Sequence, residues 1–324
     1  MPNIEALMFP ARRPGLSSAI TEGSLYTLGS FSKSELSSLR KWLPVTHSNS
    51  AAYHHMLITE YVAGRSEALP LLARYIARAH EEGRSRLAKI LGDPFDARRA
   101  AVHQRAFAFY PRHCDALTMQ GFFGEIIAGL AAELYFPART RWYVPAFAFY
   151  EHSLLFQELV RASKEEQAPQ RAIGHFGDDC LAFALQRPSD EITRILICEA
   201  KCTLTHRSSL IRKAHEKLGD QPIDVTTVWL QTLIDSLDHR NDEHAAYWLP
   251  ILESFKDSPR FDEQFRRNLV SYTHGKRPRA IGKTWIDPKT PRPEYRSSSF
   301  LEAVEIHFVG LKDLIDSAYE IAYP

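Results

Sequence analysis

The stretch Gly177-DDCLAFALQRPSDEITRILICEA-Lys201 decides what this chain can be. An acidic pair, Asp178-Asp179, precedes an apolar segment from Leu181 to Leu185. Arg187, Pro188, Ser189 and Asp190 form a polar break, and the β-branched run Ile192 to Cys198 leads straight into Glu199-Ala200-Lys201. Two short apolar runs about a Pro/Ser/Asp turn predict a β-hairpin. Strands alternate faces with period two, so Glu199 and Lys201 point one way and Ala200 the other. With Asp179 opening the partner strand, two carboxylates and an ammonium would converge at one end of a sheet. Such a place suits a divalent metal beside a polarised water.

Working outward, the segment Thr118 to Phe136 carries Met119, Phe122, Phe123, Ile126, Ile127, Leu130, Leu134 and Tyr135 at helical spacing. A stripe this broad predicts a helix buried on more than one side. Glu125 sits inside it between Gly124 and Ile126, and a buried carboxylate needs a cation, a donor or a metal beside it. Downstream, Thr205 to Leu218 predicts a basic helix with Arg207, Arg212, Lys213 and Lys217 against Glu216. Ser208 and Ser209 near its start suit phosphate contacts. From His274 to Arg296 cations outnumber acids, prolines and glycines break regular structure, and Trp285 and Tyr295 are interleaved. Lys276, Arg277 and Arg279 could follow a phosphate backbone there, although an exposed linker has the same composition.

The remaining elements are read more simply. Ser32-Lys33-Ser34-Glu35 resembles a capping box ahead of Leu36, Leu39 and Leu43, which predicts a short helix. Helical spacing is expected over 51–64 and 66–91, with another helix over 97–109, and an edge strand is expected near 24–28. Residues 139–150 read as a strand or an extended connector, and 151–163 as a helix. Helices are expected from Asp224, over 243–255 and over 261–272, then a strand over 303–309 and a closing helix over 311–322.

The chain has 324 residues, 44% hydrophobic and 24% charged, with a formal net charge of +1. Those values are ordinary for a globular protein, and no global field argues for nucleic acid or membrane. No apolar stretch approaches the ~20 residues needed to span a bilayer. The start lacks the charged head and apolar block of a signal peptide, so a cytoplasmic location is expected. Four cysteines, Cys114, Cys180, Cys198 and Cys202, show no disulfide pattern. A zinc site of Cys198, Cys202 and His206 is disfavoured, because the strand turns Cys198 away from Glu199 and a fourth ligand is not evident. No Gly-rich phosphate loop, H-E-x-x-H or G-x-S-x-G occurs, which leaves nucleotide hydrolases, zinc peptidases and serine hydrolases without local support.

The ordered pieces are a G-E-I-I helix with Glu125, then G-D-D at Gly177 to Asp179, an apolar strand into E-A-K at Glu199 to Lys201, and a basic helix. In this combination the chain resembles the PD-(D/E)xK nuclease superfamily over roughly Thr118 to Leu218. The resemblance implies an α/β fold with a restriction-endonuclease-like mixed sheet core flanked by many helices. It implies that Asp179 and Glu199 bind Mg²⁺, with Mn²⁺ as a substitute, aided by the Ala200 carbonyl. Lys201 would activate the attacking water, and Glu125 would hold a second metal or a metal-bound water. The activity implied is hydrolysis of DNA phosphodiester bonds. The implied nucleic-acid contacts are Arg207, Ser208, Arg212, Lys213, Lys276, Arg277 and Arg279.

Two departures qualify the match: Asp178 competes with Asp179 as the metal ligand, and the family's proline before the aspartate is missing. The long helical surround is similar to standalone nucleases of antiphage defence systems of the Hachiman type. That similarity implies a regulatory protein partner such as a helicase or ATPase encoded nearby. The expected organisation is a mainly helical region over 1–115 and a nuclease-like domain over 116–324, with a helical insertion at 222–273 and a closing strand and helix at 300–324. The competing expectation is a catalytically silent subunit of the same fold that binds nucleic acid or protein. A third is a mostly helical interaction protein, which requires 192–201 to be helical.

Overall fold

The computed structural model describes residues 31–49, 54–81, 83–85, 110–111, 114–135, 137, 140–147, 149, 161, 180–220, 223–238, 240, 242–257, 265–278 and 283–324. Among them six strands form one mixed sheet: β1 (Val45–Asn49), β2 (His54–Thr59), β3 (Cys180–Gln186), β4 (Glu191–Thr203), β5 (Arg266–His274) and β6 (Phe300–His307). Seven helices accompany them: α1 (Lys33–Trp42), α2 (Arg65–Ala79), α3 (Ala116–Tyr135), α4 (Ser208–Asp220), α5 (Ile223–Leu237), α6 (Glu243–Asp257) and α7 (Leu311–Ala322). The fold is α/β.

The strand order is β1-β2-β6-β5-β4-β3. The four central strands, β2, β6, β5 and β4, run parallel, and β1 and β3 are antiparallel at the two edges. Central parallel strands are covered on both faces, and β5 and β6 accordingly bury nearly every residue. The predicted hairpin is β3 and β4, joined across Arg187 to Asp190, where Asp190 takes a left-handed φ of 58°. The 192–201 segment is thus a strand, as the paired-carboxylate reading requires.

Period-two alternation along β4 puts Glu199, Lys201 and Thr203 on one face and Cys198, Ala200 and Cys202 on the other. Helix α3 covers the cysteine face. Gly124 lets it approach there, since a Cβ at that position would lie 2.8 Å from the Cys202 Cβ, and Gln120 Nε2 donates to the Cys202 carbonyl at 2.6 Å. From Phe122 to Leu134 every residue of α3 is buried, which accounts for its lack of a polar face. Helices α2 and α7 pack together, and His80 after α2 bridges the Tyr110 and Tyr319 hydroxyls at 2.9 and 3.0 Å. Helix α4 covers the glutamate face through Ile211, Ala214 and Leu218, and α6 brings Trp248 against Phe183 of β3. Each such fully buried Phe or Leu contributes about 1.5–3 kcal/mol.

Two expectations are corrected. Residues 54–59 lie within a segment read as helical but form β2, whose parallel partner is β6, with His54 opposite Glu302. The region 1–115 therefore shares its sheet with the rest of the chain. Residues 266–274, read as the end of a helical insertion reaching 273, form β5. Its Leu269-Val270-Ser271-Tyr272-Thr273 run favours a strand, and burial of both faces removes the alternation that would have revealed it. Among the described residues of 139–150, Tyr143 makes an antiparallel bridge to Phe183 of β3, in keeping with the expected extended connector. The segments expected at 24–28 and 97–109, and nearly all of 151–163, lie outside the described residues.

Candidate active site on the Glu199 face

Among the described residues the hairpin pairing runs from Gln186 opposite Glu191 to Cys180 opposite Cys198, and β4 continues to Thr203 beside β5. Phe183 exchanges both of its hydrogen bonds with Tyr143, so alternate residues of β3 bond outward, and Cys180 with Cys198 is a mutually bonded pair. Two residues beyond Cys198, the Ala200 amide and carbonyl point to the same side as those of Cys198, away from β5.

The Glu199 carboxylate is 1% exposed and is held between two ammonium groups. Lys201 Nζ contacts Oε1, and Lys217 Nζ, from the last turn of α4, contacts Oε2. Lys201 is paired with Tyr272 across to β5, and Tyr272 with Glu305 across to β6. A polar row thus extends from Lys201 across the same face.

The next residues form the mouth. The Tyr272 hydroxyl accepts from Arg207 N–H at 3.1 Å and is hydrogen-bonded to His206 Nδ1, also 3.1 Å away. Burial, with His274 nearby, holds the His206 pKa below its ordinary value. Its ring stacks on Trp285 at 3.6 Å between centroids. Glu305, wholly buried, accepts from Trp285 N–H at 2.8 Å, Ile286 N–H at 2.9 Å and His274 Nε2 at 3.1 Å, so it fastens the 283–286 strap over the sheet. His307 Nδ1 accepts from Arg277 Nε at 2.9 Å. Burial, then Arg277 and His274, push the His307 pKa down to about 4.

Each sequence-predicted residue can now be placed. Glu199 and Lys201 are in contact on one strand, as the E-x-K spacing predicts. Asp178 and Asp179 lie outside the described residues. Glu125 is buried on α3, the helix that covers the cysteine-bearing face of β4. There the Cys180 thiol pKa is raised by its bond to Cys198, by burial and by the charges of Glu125 and Glu133. Of the cations, Arg207 and Ser208 lie at the start of α4, and Arg212 and Lys213 are exposed along it. Lys276 and Arg277 are exposed past the end of β5, and Arg279 lies outside the described residues. Tyr272 was not singled out beforehand, and Lys217 and His206 were named only as a cation of the basic helix and as a disfavoured zinc ligand. Only the crossover through α4 shows that Lys217 reaches Glu199.

The donor set suits a hard cation in part. Glu199 and the Ala200 carbonyl are oxygen donors of the kind Mg²⁺ prefers, while the thiols of Cys198 and Cys202 belong to the other face. Among the described residues no three His, Cys, Asp or Glu side chains gather as a metal-holding group, so a second carboxylate depends on Asp179. Among the described residues, too, no helix is long and apolar enough to cross a membrane. The chain matches no protein-family model, and no curated protein matches it.

Proposed function

We propose that the Glu199–Lys201 end of β4 is the catalytic centre of a metal-dependent nuclease of the PD-(D/E)xK type, with a restriction-endonuclease-like core, acting on DNA. The observation that carries this reading is the pairing of the buried Glu199 carboxylate with Lys201 on one strand. The mixed sheet, the antiparallel hairpin and the basic helix after β4 support it.

Glu199, the Ala200 carbonyl and Asp179 would hold Mg²⁺, which when bound supplies Lewis acidity towards the phosphate and lowers the pKa of water. Lys201 holds Glu199 in place, and its ammonium would face the attacking water and the charge that grows on the phosphate. Glu125, arriving from the far face, is left with a second metal or its water. Arg207, Ser208, Arg212, Lys213, Lys276, Arg277 and Arg279 supply the cationic approach for a phosphate backbone. A partner protein that gates the activity and a place in antiphage defence remain part of the proposal.

The test is cleavage of supercoiled plasmid and single-stranded DNA by purified protein in Mg²⁺, Mn²⁺ or EDTA, beside a Lys201→Ala variant. The expected result is metal-dependent cutting that the variant lacks. Cutting that persists in EDTA, or equally in Lys201→Ala, refutes the assignment.

A further inference from the structure

The face of the sheet opposite Glu199 carries a pair of arginines that the nuclease reading does not use. Period-two alternation puts Arg194 and Leu196 on the Cys198 face of β4. Arg267 stands beside Leu196 on β5, and Phe300 stands beside Arg267 on β6, so all four side chains share that face near the start of the parallel strands. Arg194 and Arg267 are thus diagonal neighbours, within reach of each other's long side chains. The Arg267 guanidinium carbon lies over the Phe300 ring, 5.0 Å from its centroid, and His54 meets the same ring at 5.1 Å and 67°. Arg194 is steadied through Nη1, which donates to Thr140 Oγ1 at 3.1 Å.

This pairing brings like charges together. Burial, then the Arg194 charge, hold the Arg267 pKa below the ordinary arginine value, with Glu302 acting the other way. Glu302 is 1% exposed and lies 3.3 Å from His54 Nδ1. Among the described residues Arg267 makes no ion pair, and its Nε is buried without a hydrogen-bond partner. A buried N–H of this kind is characteristic of strained, catalytic or ion-binding positions. Two guanidinium groups gathered on one surface favour the last. Arg194, Arg267 and Phe300 each keep part of their surface in solvent, which leaves the pair within reach of a small ligand.

We propose that Arg194 and Arg267 form a binding site for a phosphate monoester dianion, on the face of the sheet away from Glu199. The guanidinium sets the ligand class: its planar fork donates two parallel hydrogen bonds to a phosphate, and two arginines match two negative charges. A dianion bound between them replaces mutual repulsion by attraction to both. Phe300 holds the Arg267 plane, so little side-chain freedom is lost on binding. The group is carried either by a phosphorylated strand end or by a free phosphorylated molecule. The site stands apart from the nuclease reading, because it uses neither Glu199 nor a metal.

Isothermal titration calorimetry of the full chain with inorganic phosphate, at constant ionic strength, tests the site. The proteins are wild type, Arg267→Met, Arg194→Gln and Lys312→Gln, the last changing an exposed lysine of α7 that pairs with Asp316. Wild type should bind phosphate saturably. Arg267→Met and Arg194→Gln should each weaken binding by about tenfold or more, the loss of one charge-assisted pair. Methionine keeps a flexible apolar stem over Phe300, and Arg194→Gln decides the matter if Arg267→Met fails to fold. Lys312→Gln removes the same charge elsewhere and should bind as wild type does. A short oligonucleotide phosphorylated at one end that outbinds its unphosphorylated form, by a margin lost in Arg194→Gln, identifies a strand end as the source. Phosphate binding without that margin identifies a free phosphorylated molecule, and either result bears out the site. No saturable phosphate binding, binding unchanged in both arginine variants, or an equal loss in Lys312→Gln overturns it.

Discussion

Removing the Glu199 charge should cost stability as well as activity, and the structure sets the size of the effect. The carboxylate is 1% exposed, whereas the two ammonium groups keep 24% and 34% of their side-chain surface in solvent. Breaking a fully buried pair costs about 3–5 kcal/mol, and an exposed pair is worth about 1 kcal/mol or less. Glu199→Gln lies between these limits, because its amide fills the space while both lysines can swing partly into water. The expected loss is about 2–3 kcal/mol, weighing the two limits against this burial. Lys217→Met alone should cost no more than about 1 kcal/mol. In the Glu199→Gln background the same change relieves repulsion between two ammonium groups, so it should be neutral or stabilising. The double-mutant cycle should therefore show a coupling of about 1–2 kcal/mol. Urea unfolding followed by tryptophan fluorescence measures all four proteins. Singles that each lie within about 0.5 kcal/mol of wild type and that add in the double variant would show that the ion pairs contribute nothing, and would refute the reasoning.

Two further outcomes follow from the packing and the titrations. Gly124→Ala puts a methyl 2.8 Å from the Cys202 Cβ, an atom held close to the backbone of β4, so the gain in helix propensity, about 1 kcal/mol, should be outweighed and the thermal midpoint should fall; a rise would mean that α3 can lift off the sheet. His307 has its folded pKa depressed to about 4, so the unfolded chain, with a histidine pKa near 6.5, binds the proton first as the pH falls. The stability contributed by keeping His307 neutral is fully present above about pH 6.5 and is lost towards pH 4, by up to about 3 kcal/mol. His307→Gln should flatten that part of the stability–pH curve, and an unchanged slope between pH 6.5 and 4 would contradict the assignment.

What could be seen in the sequence was local. The capping box before α1 is present in full, with Ser32 Oγ accepting from Glu35 N–H and Glu35 Oε2 accepting from Ser32 N–H. The hairpin, the apolar helix α3, the basic helix α4 and the closing β6 and α7 were likewise set by neighbouring residues. Contact between Glu199 and Lys201 followed from a period of two. The hidden parts depend on distant chain. His54 to Thr59 becomes a strand because β6, which follows it by almost the whole chain, offers a parallel edge, and no turn signal marks such a pairing. Residues 266–274 are buried on both faces and so lose the alternation that reveals a half-exposed strand. Lys217 read as one more cation of a solvated helix, since only the crossover from β4 to β5 lays that helix over Glu199. Glu125 was legible as a buried carboxylate, but its approach from the cysteine face depends on Gly124 seating α3 on Cys202.

The most direct test of the central claim is a crystal of the protein soaked in Mn²⁺ and measured at a wavelength where manganese scatters anomalously. The account predicts a peak bonded to the Glu199 carboxylate and the Ala200 carbonyl, with Lys201 retained beside Glu199. An occupied manganese site elsewhere, for example among His274, His307 and Glu305, with Glu199 still clasped by both lysines, would contradict it.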